Sequence, residues 1–453
     1  MKSINPANLQ ELKTYQPMQI SEVNKIFDQT NNAFEDWKKA SFNHRSQLMK
    51  NAASVLRKNK EEYSKLMTLE MGKPIEQSRS EVDKCTWVCE YYADNAKKFL
   101  ADEIIKTDAS KSFVAFQPLG IVLAVMPWNF PFWQVFRFAA PGLMAGNAGI
   151  LKHASNVSGC ALAIEDVFRK AEFPENLFRT ILVPSDKMEE VIKNEKIKAV
   201  TLTGSVPAGK SVAKTAGSVL KKTVMELGGS DPYVILEDAD FESAANTCAN
   251  ARLINGGQSC IAAKRFIVVE EVYDEFENQF VQKMKSKKMG NPFDEQNDIG
   301  PQASIKLRDE LHQQVIISIE KGAQLLLGGT IPQMDGAYYP PTVLSNVKKG
   351  MPAFDEELFG PVAALIKAKD EAEAIEMAND SIFGLGAAVF TRDIKRGEKI
   401  AKERLQSGCC FVNAFVKSDP RLPFGGIKES GYGRELSAYG IREFVNIKSV
   451  YIK

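Results

Sequence analysis

The stretch Gly120-Ile-Val-Leu-Ala-Val-Met126 determines the fold class that this sequence predicts. Its residues are apolar on both faces, which is typical of a strand buried inside a parallel sheet. It ends at Pro127-Trp-Asn-Phe-Pro131, and a helix rich in small residues follows from Val135 to Ala145. A second buried strand comes at Ala148–Lys152. A strand, a helix and a strand in this order form the unit from which open parallel sheets are built.

The same alternation continues on both sides of Gly228-Gly229. Before the glycines, the pattern predicts further strands at Thr180–Val183, Ala199–Thr203 and Lys222–Glu226, and therefore an open, doubly wound α/β domain. After them, a new series of strands and helices predicts a second α/β domain. The first hundred residues predict amphipathic helices packed against a sheet, at Ser21–Lys39, Arg45–Met71 and Glu81–Leu100.

Composition excludes several classes of function. Hydrophobic residues make up 44% and charged residues 25% of 453 residues, the balance of a soluble globular protein. The formal charge of +1 gives no basis for binding nucleic acid or a membrane, and no apolar run is long enough to span a bilayer. Seven cysteines, an odd number, predict free thiols, including the pair Cys409-Cys410, and hence a cytoplasmic protein. Only three histidines are available as metal ligands, so we expect no metal.

One short motif points to a nucleotide-hydrolysing enzyme. Gly204-Ser-Val-Pro-Ala-Gly-Lys-Ser211 matches the phosphate-loop pattern and stands between a predicted strand and a predicted helix. In that interpretation Lys210 reaches the outer phosphates and Ser211 holds magnesium. A strand–turn–helix connection also needs glycines, and the motif leaves the other conspicuous stretches of the chain unexplained. It remains an alternative.

A second stretch, Asn255-Gly-Gly-Gln-Ser-Cys-Ile-Ala262, contains a candidate nucleophile. A helix-like run from Ala244 to Ile254 stops at two glycines, the thiol of Cys260 follows, and Phe266–Val269 is a predicted strand. A cysteine after a glycine-rich turn lies where a substrate can approach the backbone. Cysteine is also among the most buried and inert residue types, so this stretch alone leaves both interpretations open.

Six motifs in a fixed order decide between these interpretations. They are Pro127-Trp-Asn-Phe-Pro131, Thr203-Gly-Ser205, Glu226-Leu-Gly-Gly229, Gly257-Gln-Ser-Cys260, Glu357-Leu-Phe-Gly-Pro361 and Pro423-Phe-Gly-Gly-Ile-Lys-Glu-Ser-Gly431. Together they resemble the aldehyde dehydrogenase superfamily over essentially the whole chain. Two stretches, Pro127–Phe138 and Lys152-His-Ala-Ser-Asn156, are most similar to its bacterial succinate-semialdehyde dehydrogenase branch.

The resemblance implies an NAD(P)-dependent oxidation of an aldehyde to an acid. Cys260 is expected to attack the carbonyl and form a thiohemiacetal, which hydride loss to the nicotinamide converts into a thioester. The side-chain amide of Asn129 and the backbone N–H of Cys260 are expected to bind the oxyanion. Glu226 is expected to be the general base that activates the hydrolytic water.

The resemblance also assigns the cofactor site. It places Lys152 near the ribose or a phosphate, Gly204 and Ser205 at a helix start beside the pyrophosphate, and Glu357 and Phe359 at the nicotinamide end. The remaining assigned residues are Pro127, Trp128 and Leu227. Many NAD-preferring relatives have a glutamate where this chain has Ser155. Because no carboxylate repels a 2′-phosphate there, NADP is admissible alongside NAD.

The expected substrate is succinate semialdehyde, whose distal carboxylate needs a cationic partner. Arg137 matches one carboxylate-binding arginine of the branch, but Ile254 stands where a second is expected. Ser418, Arg252 or Arg421 could compensate for it. Another semialdehyde, such as glutarate semialdehyde, or a neutral aldehyde remains the alternative. Ala262 replaces a second cysteine found in some relatives, so no local disulfide is expected.

Domain boundaries follow from the resemblance and the alternation together. We expect an NAD(P)-binding domain at 1–105 and 119–227, joined by 429–443, and a catalytic domain at 228–428. Residues 106–118 and 444–453 are predicted oligomerisation strands that pair between subunits of a homodimer or homotetramer.

Overall fold

The computed structural model describes residues 1–453, which form fifteen α-helices and twenty β-strands. The helices are α1 Ile20–Trp37, α2 Phe42–Lys58, α3 Lys60–Met71, α4 Ile75–Phe99, α5 Trp133–Met144, α6 Ser158–Lys170, α7 Met188–Lys193, α8 Val206–Ser218, α9 Phe241–Leu253, α10 Tyr273–Lys285, α11 Ile305–Glu320, α12 Pro352–Asp355, α13 Glu371–Asn379, α14 Ile394–Lys399 and α15 Ser437–Ile441. None of them combines the length and the apolar character that crossing a membrane requires.

The strands belong to three main sheets and two small hairpin-like pairs. They are β1 Lys2–Ile4, β2 Glu11–Thr14, β3 Glu103–Ile104, β4 Lys111–Pro118, β5 Ile121–Met126, β6 Ala148–His153, β7 Phe178–Thr180, β8 Ile197–Thr203, β9 Lys222–Glu226, β10 Pro232–Ile235, β11 Arg265–Val269, β12 Gln324–Leu327, β13 Thr342–Ser345, β14 Val362–Ala368, β15 Phe383–Gly384, β16 Gly386–Phe390, β17 Cys409–Val412, β18 Ile427–Lys428, β19 Gly431–Tyr432 and β20 Val445–Ile452.

The first sheet has the order β19-β9-β8-β5-β6-β7, and only β19 runs antiparallel to its neighbour. The chain moves outward from β5 through β6 to β7, then returns to the other side of β5 to form β8 and β9. The loops after β5 and β8 therefore diverge, and a crevice opens at the carboxyl ends of these two strands. Ligands of open α/β sheets bind at such a topological switch point. The doubly wound sheet predicted from Gly120–Met126 is confirmed.

The second sheet has the order β12-β13-β14-β11-β10-β16-β17 and is parallel except for the pair β12 and β13. Its central strands β10 and β11 are buried along their whole length. Apolar side chains on its two faces form two separate core clusters. A second α/β unit is thus present after Gly228, as the renewed alternation predicts.

The third sheet contains both predicted oligomerisation strands. Strand β20 pairs with β4 of the same chain over its full length, from Val445 opposite Pro118 to Ile452 opposite Lys111. The two segments pair with each other within the chain, and the outer edge of β20 stays open, so pairing between subunits remains a prediction. Strand β3 extends this sheet on the other side of β4 and lies just before the predicted segment 106–118. The division of the chain into three domains stays a prediction.

The N-terminal helices differ from the pattern at two places, and one is the start of α4, at Ile75 instead of the predicted Glu81. The predicted single helix Arg45–Met71 is two helices, α2 and α3, which meet at Asn59. Asn59 leaves the helical region at φ −106° and ψ 21°, and its side-chain amide donates to the carbonyl of Val55 at 2.8 Å. An asparagine that bonds the preceding turn competes with the helix ladder and ends it.

Candidate active site

Two cavities meet at the thiol of Cys260. One cavity, of about 250 Å³, lies at the switch point and is lined by the residues that follow β5, β8 and β9, together with Glu357 and Phe359. The other, of about 280 Å³, is lined by α4, α5 and the segment Val416–Ser418. Cys260 is the single residue that lines both. Cys260 therefore lies where molecules bound in the two cavities would come together.

The loop that carries Cys260 owes its shape to three left-handed residues. Asn255, Gly256 and Gly257 have φ values of 57°, 63° and 77°. A side chain at Gly257 would place its Cβ 2.1 Å from the carbonyl oxygen of Gly360, so only glycine fits this position. The two glycines of the sequence motif thus turn the chain back sharply between α9 and Cys260.

Lys264 stabilises the loop that carries Cys260. Its buried ammonium donates three hydrogen bonds, to the carbonyls of Ser259 at 3.0 Å, Cys260 at 2.9 Å and Ala262 at 3.0 Å. The carboxylate of Glu357 lies 3.7 Å from it. Burial lowers the pKa of Lys264, and the charge of Glu357 opposes that effect. One cation thereby connects the loop of Cys260 to a residue of the switch-point cavity.

Asn129 lies beside Cys260 on the wall of the switch-point cavity. Its side-chain amide donates to the carbonyl of Gln258 at 3.1 Å, and its own carbonyl accepts from the side chain of Asn255 at 2.8 Å. An amide nitrogen carries two protons, so one N–H of Asn129 remains for a ligand. These bonds fix the orientation of Asn129 relative to the loop of Cys260.

The electrostatics of Cys260 are dominated by its burial. Burial raises the pKa of the thiol to about 12, while the charges of Arg137 and Lys264 lower it. The free thiol is therefore almost fully protonated at neutral pH, and a nucleophilic role requires a base or a change of environment when ligands bind.

Glu226, at the end of β9, lines neither cavity. Both of its carboxyl oxygens are buried without a hydrogen-bond partner, and a Cβ at Gly425 would lie 2.6 Å from one of them. Burial raises its pKa well above the ordinary value, and the nearby carboxyl of Glu435 raises it further. The charge of Arg137 acts in the opposite direction. This arrangement therefore favours the neutral form of Glu226.

Arg137 reaches the second cavity from α5 but is already engaged. Its guanidinium forms an ion pair with Glu435, donates to the hydroxyl of Thr203 at 3.2 Å, and lies 4.7 Å from the ring centre of Phe424. Arg137 and Glu435 are both buried. Only part of its hydrogen-bonding capacity is left to face the cavity.

Ser418 lies in the wall of the same cavity and accepts two hydrogen bonds. One comes from the ammonium of Lys84 at 2.8 Å and the other from the indole N–H of Trp133 at 3.1 Å. Because both acceptor positions of the oxygen are filled, its own O–H is left to donate elsewhere. Ile254 is also in this wall and contributes only apolar surface.

The charges that line this second cavity are unbalanced. Three are positive, on Lys84, Arg137 and Lys417, and one is negative, on Glu81. Both oxygens of Glu81 are occupied: one accepts the backbone N–H groups at the start of α5, and the other pairs with the buried Lys73. The cavity is therefore electropositive and suits an anionic ligand.

The switch-point cavity contains most of the predicted cofactor residues. Pro127, Trp128, Gly204, Ser205, Leu227, Glu357 and Phe359 all line it. Glu357 accepts the backbone N–H of Gly229 at 3.0 Å, and burial raises its pKa. Phe359 packs against Trp128 edge to face, with 5.7 Å between ring centres.

The other two predicted cofactor residues lie outside this cavity. Lys152 is half-buried near the end of β6, opposite Val125 of β5, and Ser155 is exposed in the short turn that precedes α6. Burial lowers the pKa of Lys152. Both residues lie at the carboxyl end of β6, outside the cavity that Cys260 lines.

Comparison with known proteins agrees with this geometry. The Aldehyde dehydrogenase family matches residues 1–450. This chain belongs to the aldehyde dehydrogenase family. A Synechocystis sp. relative, a probable NADP(+) succinate-semialdehyde dehydrogenase, is 49% identical over 99% of each chain. The NADP(+) succinate-semialdehyde dehydrogenase of Mycobacterium avium is 46% identical over 99% of this chain and 96% of its own.

Solved structures of the family share the fold throughout. The crystal structure of succinic semialdehyde dehydrogenase from Streptococcus pyogenes in complex with NADP+ superposes with a TM-score of 0.97. It is 35% identical to this aldehyde dehydrogenase, and the match covers 100% of this chain and 99% of that one. The resemblance inferred from the six motifs is confirmed.

The phosphate-loop alternative is wrong for this aldehyde dehydrogenase. Only Gly204 and Ser205 separate β8 from α8, so no long loop is available to surround a triphosphate. Lys210 lies within α8 and pairs on the surface with Glu429 at 2.9 Å. Gly204–Ser211 is a short strand-to-helix turn that happens to carry a lysine and a serine.

The two arginines that were candidates to supply the substrate contact missing at Ile254 lie outside the second cavity. Arg252 is fully buried, donates to the carbonyl of Gly257 at 2.7 Å and lines neither cavity. Arg421 is mostly exposed and pairs with Asp419 at 2.6 Å. Of the candidates for compensation, only Ser418 belongs to the cavity wall.

Sequence reasoning missed Lys84, Glu81 and Lys264, whose positions on a helix or after a motif carry no distinctive pattern.

Proposed function

We propose that this aldehyde dehydrogenase oxidises succinate semialdehyde to succinate with NADP as the cofactor. The observation that carries the proposal is the position of Cys260 between the switch-point cavity and an electropositive cavity. An aldehyde with a distal carboxylate matches the charge of the second cavity, and a nucleotide matches the first. Relatives with nearly half of their residues identical are named for this reaction.

In the first step the thiol of Cys260 loses its proton to solvent, and the resulting thiolate attacks the aldehyde carbon. The carbonyl oxygen gains negative charge and is stabilised by the free N–H of Asn129 and the backbone N–H of Cys260. Removing one such donor typically costs about 100- to 1000-fold in rate. The hydrogen bond to the carbonyl of Gln258 keeps the side-chain amide of Asn129 oriented before the substrate arrives, and the bond from Asn255 holds its backbone.

The residues around the switch point fit a nicotinamide nucleotide. Backbone N–H groups at the start of α8 suit a pyrophosphate, Glu357 suits ribose hydroxyls, and Phe359 with Trp128 forms an apolar wall. When bound, the cofactor supplies the hydride acceptor for the oxidation of the thiohemiacetal to the thioester. The residues of the chain contribute by holding the reacting carbon at the junction of the two cavities.

Glu226 acts after oxidation, as the base for hydrolysis of the thioester. Its carboxyl must first rotate away from Glu435 and toward Cys260, and it must lose its proton. It then accepts a proton from water, and the resulting hydroxide attacks the thioester carbon. The C–S bond breaks, succinate is released, and the leaving thiolate of Cys260 takes the proton from Glu226, which restores both groups.

Ser155 supports NADP as the cofactor. It is exposed at the turn before α6, three residues after Lys152, and presents a small neutral side chain to this edge of the sheet. A 2′-phosphate would meet the cation of Lys152 and no carboxylate. Ser155→Glu should shift the ratio of kcat/KM for NADP to that for NAD toward NAD by at least about tenfold. An unchanged ratio would contradict this assignment.

The reaction itself is tested by NADPH formation with succinate semialdehyde and with butanal, a neutral aldehyde of the same chain length. We expect the wild type to prefer succinate semialdehyde and Cys260→Ala to be inactive with both. Full turnover by Cys260→Ala would refute the covalent mechanism. Equal kcat/KM for the two aldehydes in the wild type would refute the substrate assignment while leaving the mechanism intact.

We further propose a cytoplasmic homo-oligomer. All seven cysteines are free, as expected in a reducing compartment. The outer edge of β20 is unpaired and carries Ile447 and Tyr451, which are 60% and 54% exposed. An open edge with apolar side chains favours association with another chain. Light scattering should give the mass of a dimer or tetramer, and a monomer would contradict the proposal.

A further inference from the structure

The second cavity contains a cation for which the mechanism above has no use. Lys84 projects from α4 with its ammonium 4.2 Å from the ring centre of Trp133, and its hydrogen bond goes to the hydroxyl of Ser418. An ammonium group has three protons, so two remain without a protein acceptor. Lys84 lines the same cavity as Cys260 and is half-buried.

Three buried cations near Cys260 differ from Lys84 in one respect. Lys73, Arg137 and Lys264 each face a carboxylate, on Glu81, Glu435 and Glu357 respectively. Lys84 has no such partner within ion-pairing distance. Burial and the charge of Arg137 together lower the pKa of Lys84 to about 8. A cation under these conditions is stabilised by an anion that enters the cavity.

We propose that Lys84 binds the distal carboxylate of the aldehyde, together with the hydroxyl of Ser418 and the free side of Arg137. Lys84 and Ser418 present adjacent donors, because Ser418 accepts from Lys84 and can donate its own proton to a ligand. Trp133 fixes both, through its ring beneath Lys84 and its N–H to Ser418. Lys84 thus determines specificity for an acidic aldehyde. The inference rests on the proposed function, since it assumes a carboxylate on the substrate.

The experiment measures KM and kcat with succinate semialdehyde and with butanal for the wild type and two variants of Lys84. Lys84→Met removes the charge, and Lys84→Gln removes the charge but can still donate to Ser418. For both variants we expect kcat/KM for succinate semialdehyde to fall about 30-fold or more, mainly through KM. The loss of turnover with butanal should be much smaller, and circular dichroism reports whether the variants fold. Lys97→Met, an exposed change on the same helix, is the matched control.

The outcomes separate this inference from the proposed function. If the wild type does not prefer succinate semialdehyde over butanal, the substrate assignment itself fails. If the wild type has that preference and both variants keep it, the role of Lys84 is refuted. An equal loss with both aldehydes would also refute it, because Lys84 would then support the fold of the cavity. Loss of the preference in Lys84→Met and Lys84→Gln, but not in Lys97→Met, supports the inference.

Discussion

Replacing Lys264 by methionine tests how the nucleophile loop is held. The change keeps the length of the side chain but removes three hydrogen bonds to the carbonyls of Ser259, Cys260 and Ala262. Hydrogen bonds that involve a charged group contribute about 1.5–3 kcal/mol each, so roughly 4.5–9 kcal/mol is lost. Methionine does not require the burial of a charge, which offsets several kcal/mol of this loss. The net destabilisation should be about 3–5 kcal/mol, the usual effect of removing one member of a buried charged cluster.

Thermal unfolding measures this effect. A loss of 1 kcal/mol lowers the melting temperature of a domain of 150–250 residues by about 2–4 °C, so Lys264→Met should melt roughly 6–20 °C below the wild type. Turnover should fall about 100-fold, because even a 1 Å displacement of the Cys260 loop disturbs the geometry of attack. Lys285→Met, an exposed substitution on α10, controls for the loss of a lysine and should change neither quantity.

Two results would refute this reasoning. If Lys264→Met melts within about 2 °C of the wild type and keeps full activity, the three hydrogen bonds do not hold the loop. If it loses activity without loss of stability, Lys264 acts on the thiol through its charge, and the loop is held by other contacts. In that second case the pH dependence of Cys260 alkylation should change as well.

Three further perturbations follow from the same site. The kcat of the wild type should rise with pH as Glu226 loses its proton. Glu435→Gln removes a neighbouring carboxyl and should move the midpoint of that rise to lower pH by about one unit. An unchanged midpoint would exclude Glu226 as the titrating group. Lys73→Met and Glu81→Gln should each lower the free energy of unfolding by about 3–5 kcal/mol, and the double variant should lower it by clearly less than the sum of the two. Strict additivity would mean that the pair does not interact. Gly257→Ala should yield little folded or active protein, because its Cβ has no space, and normal circular dichroism with normal turnover would contradict the positive φ at this residue.

The sequence was sufficient to predict the parts of the fold that local pattern specifies. The run Gly120–Met126 is apolar on both faces, and it is indeed an inner strand of a parallel sheet. The alternation of strands and helices predicted a doubly wound sheet, which has a topological switch point. Most predicted cofactor residues line the crevice at that point. Such patterns are informative because burial on both faces and the chain direction of a parallel sheet leave few alternatives.

The partners of buried charges could not be predicted in the same way. Lys84 lies on an amphipathic helix, where a lysine is ordinarily solvated, and nothing in its neighbourhood along the chain marks Ser418 as its partner. Glu226 ends a strand as predicted, yet its carboxyl lies near Glu435, a residue more than 200 positions away. These contacts depend on how distant elements pack, and no periodicity in the sequence records them. The pairing of β20 with β4 escaped prediction for the same reason.

The meeting of the two cavities at one sulfur has a consequence for how this enzyme could be altered by mutation. The residue proposed to govern cofactor choice is Ser155, and the residue proposed to govern aldehyde choice is Lys84. Lys84 lines the second cavity, and Ser155 lines neither cavity. Free-energy changes at separate sites with no common partner usually add. Variants with new cofactor and new aldehyde preferences should therefore combine in one chain with the product of their individual effects. Each specificity can then be changed by selection without loss of the other.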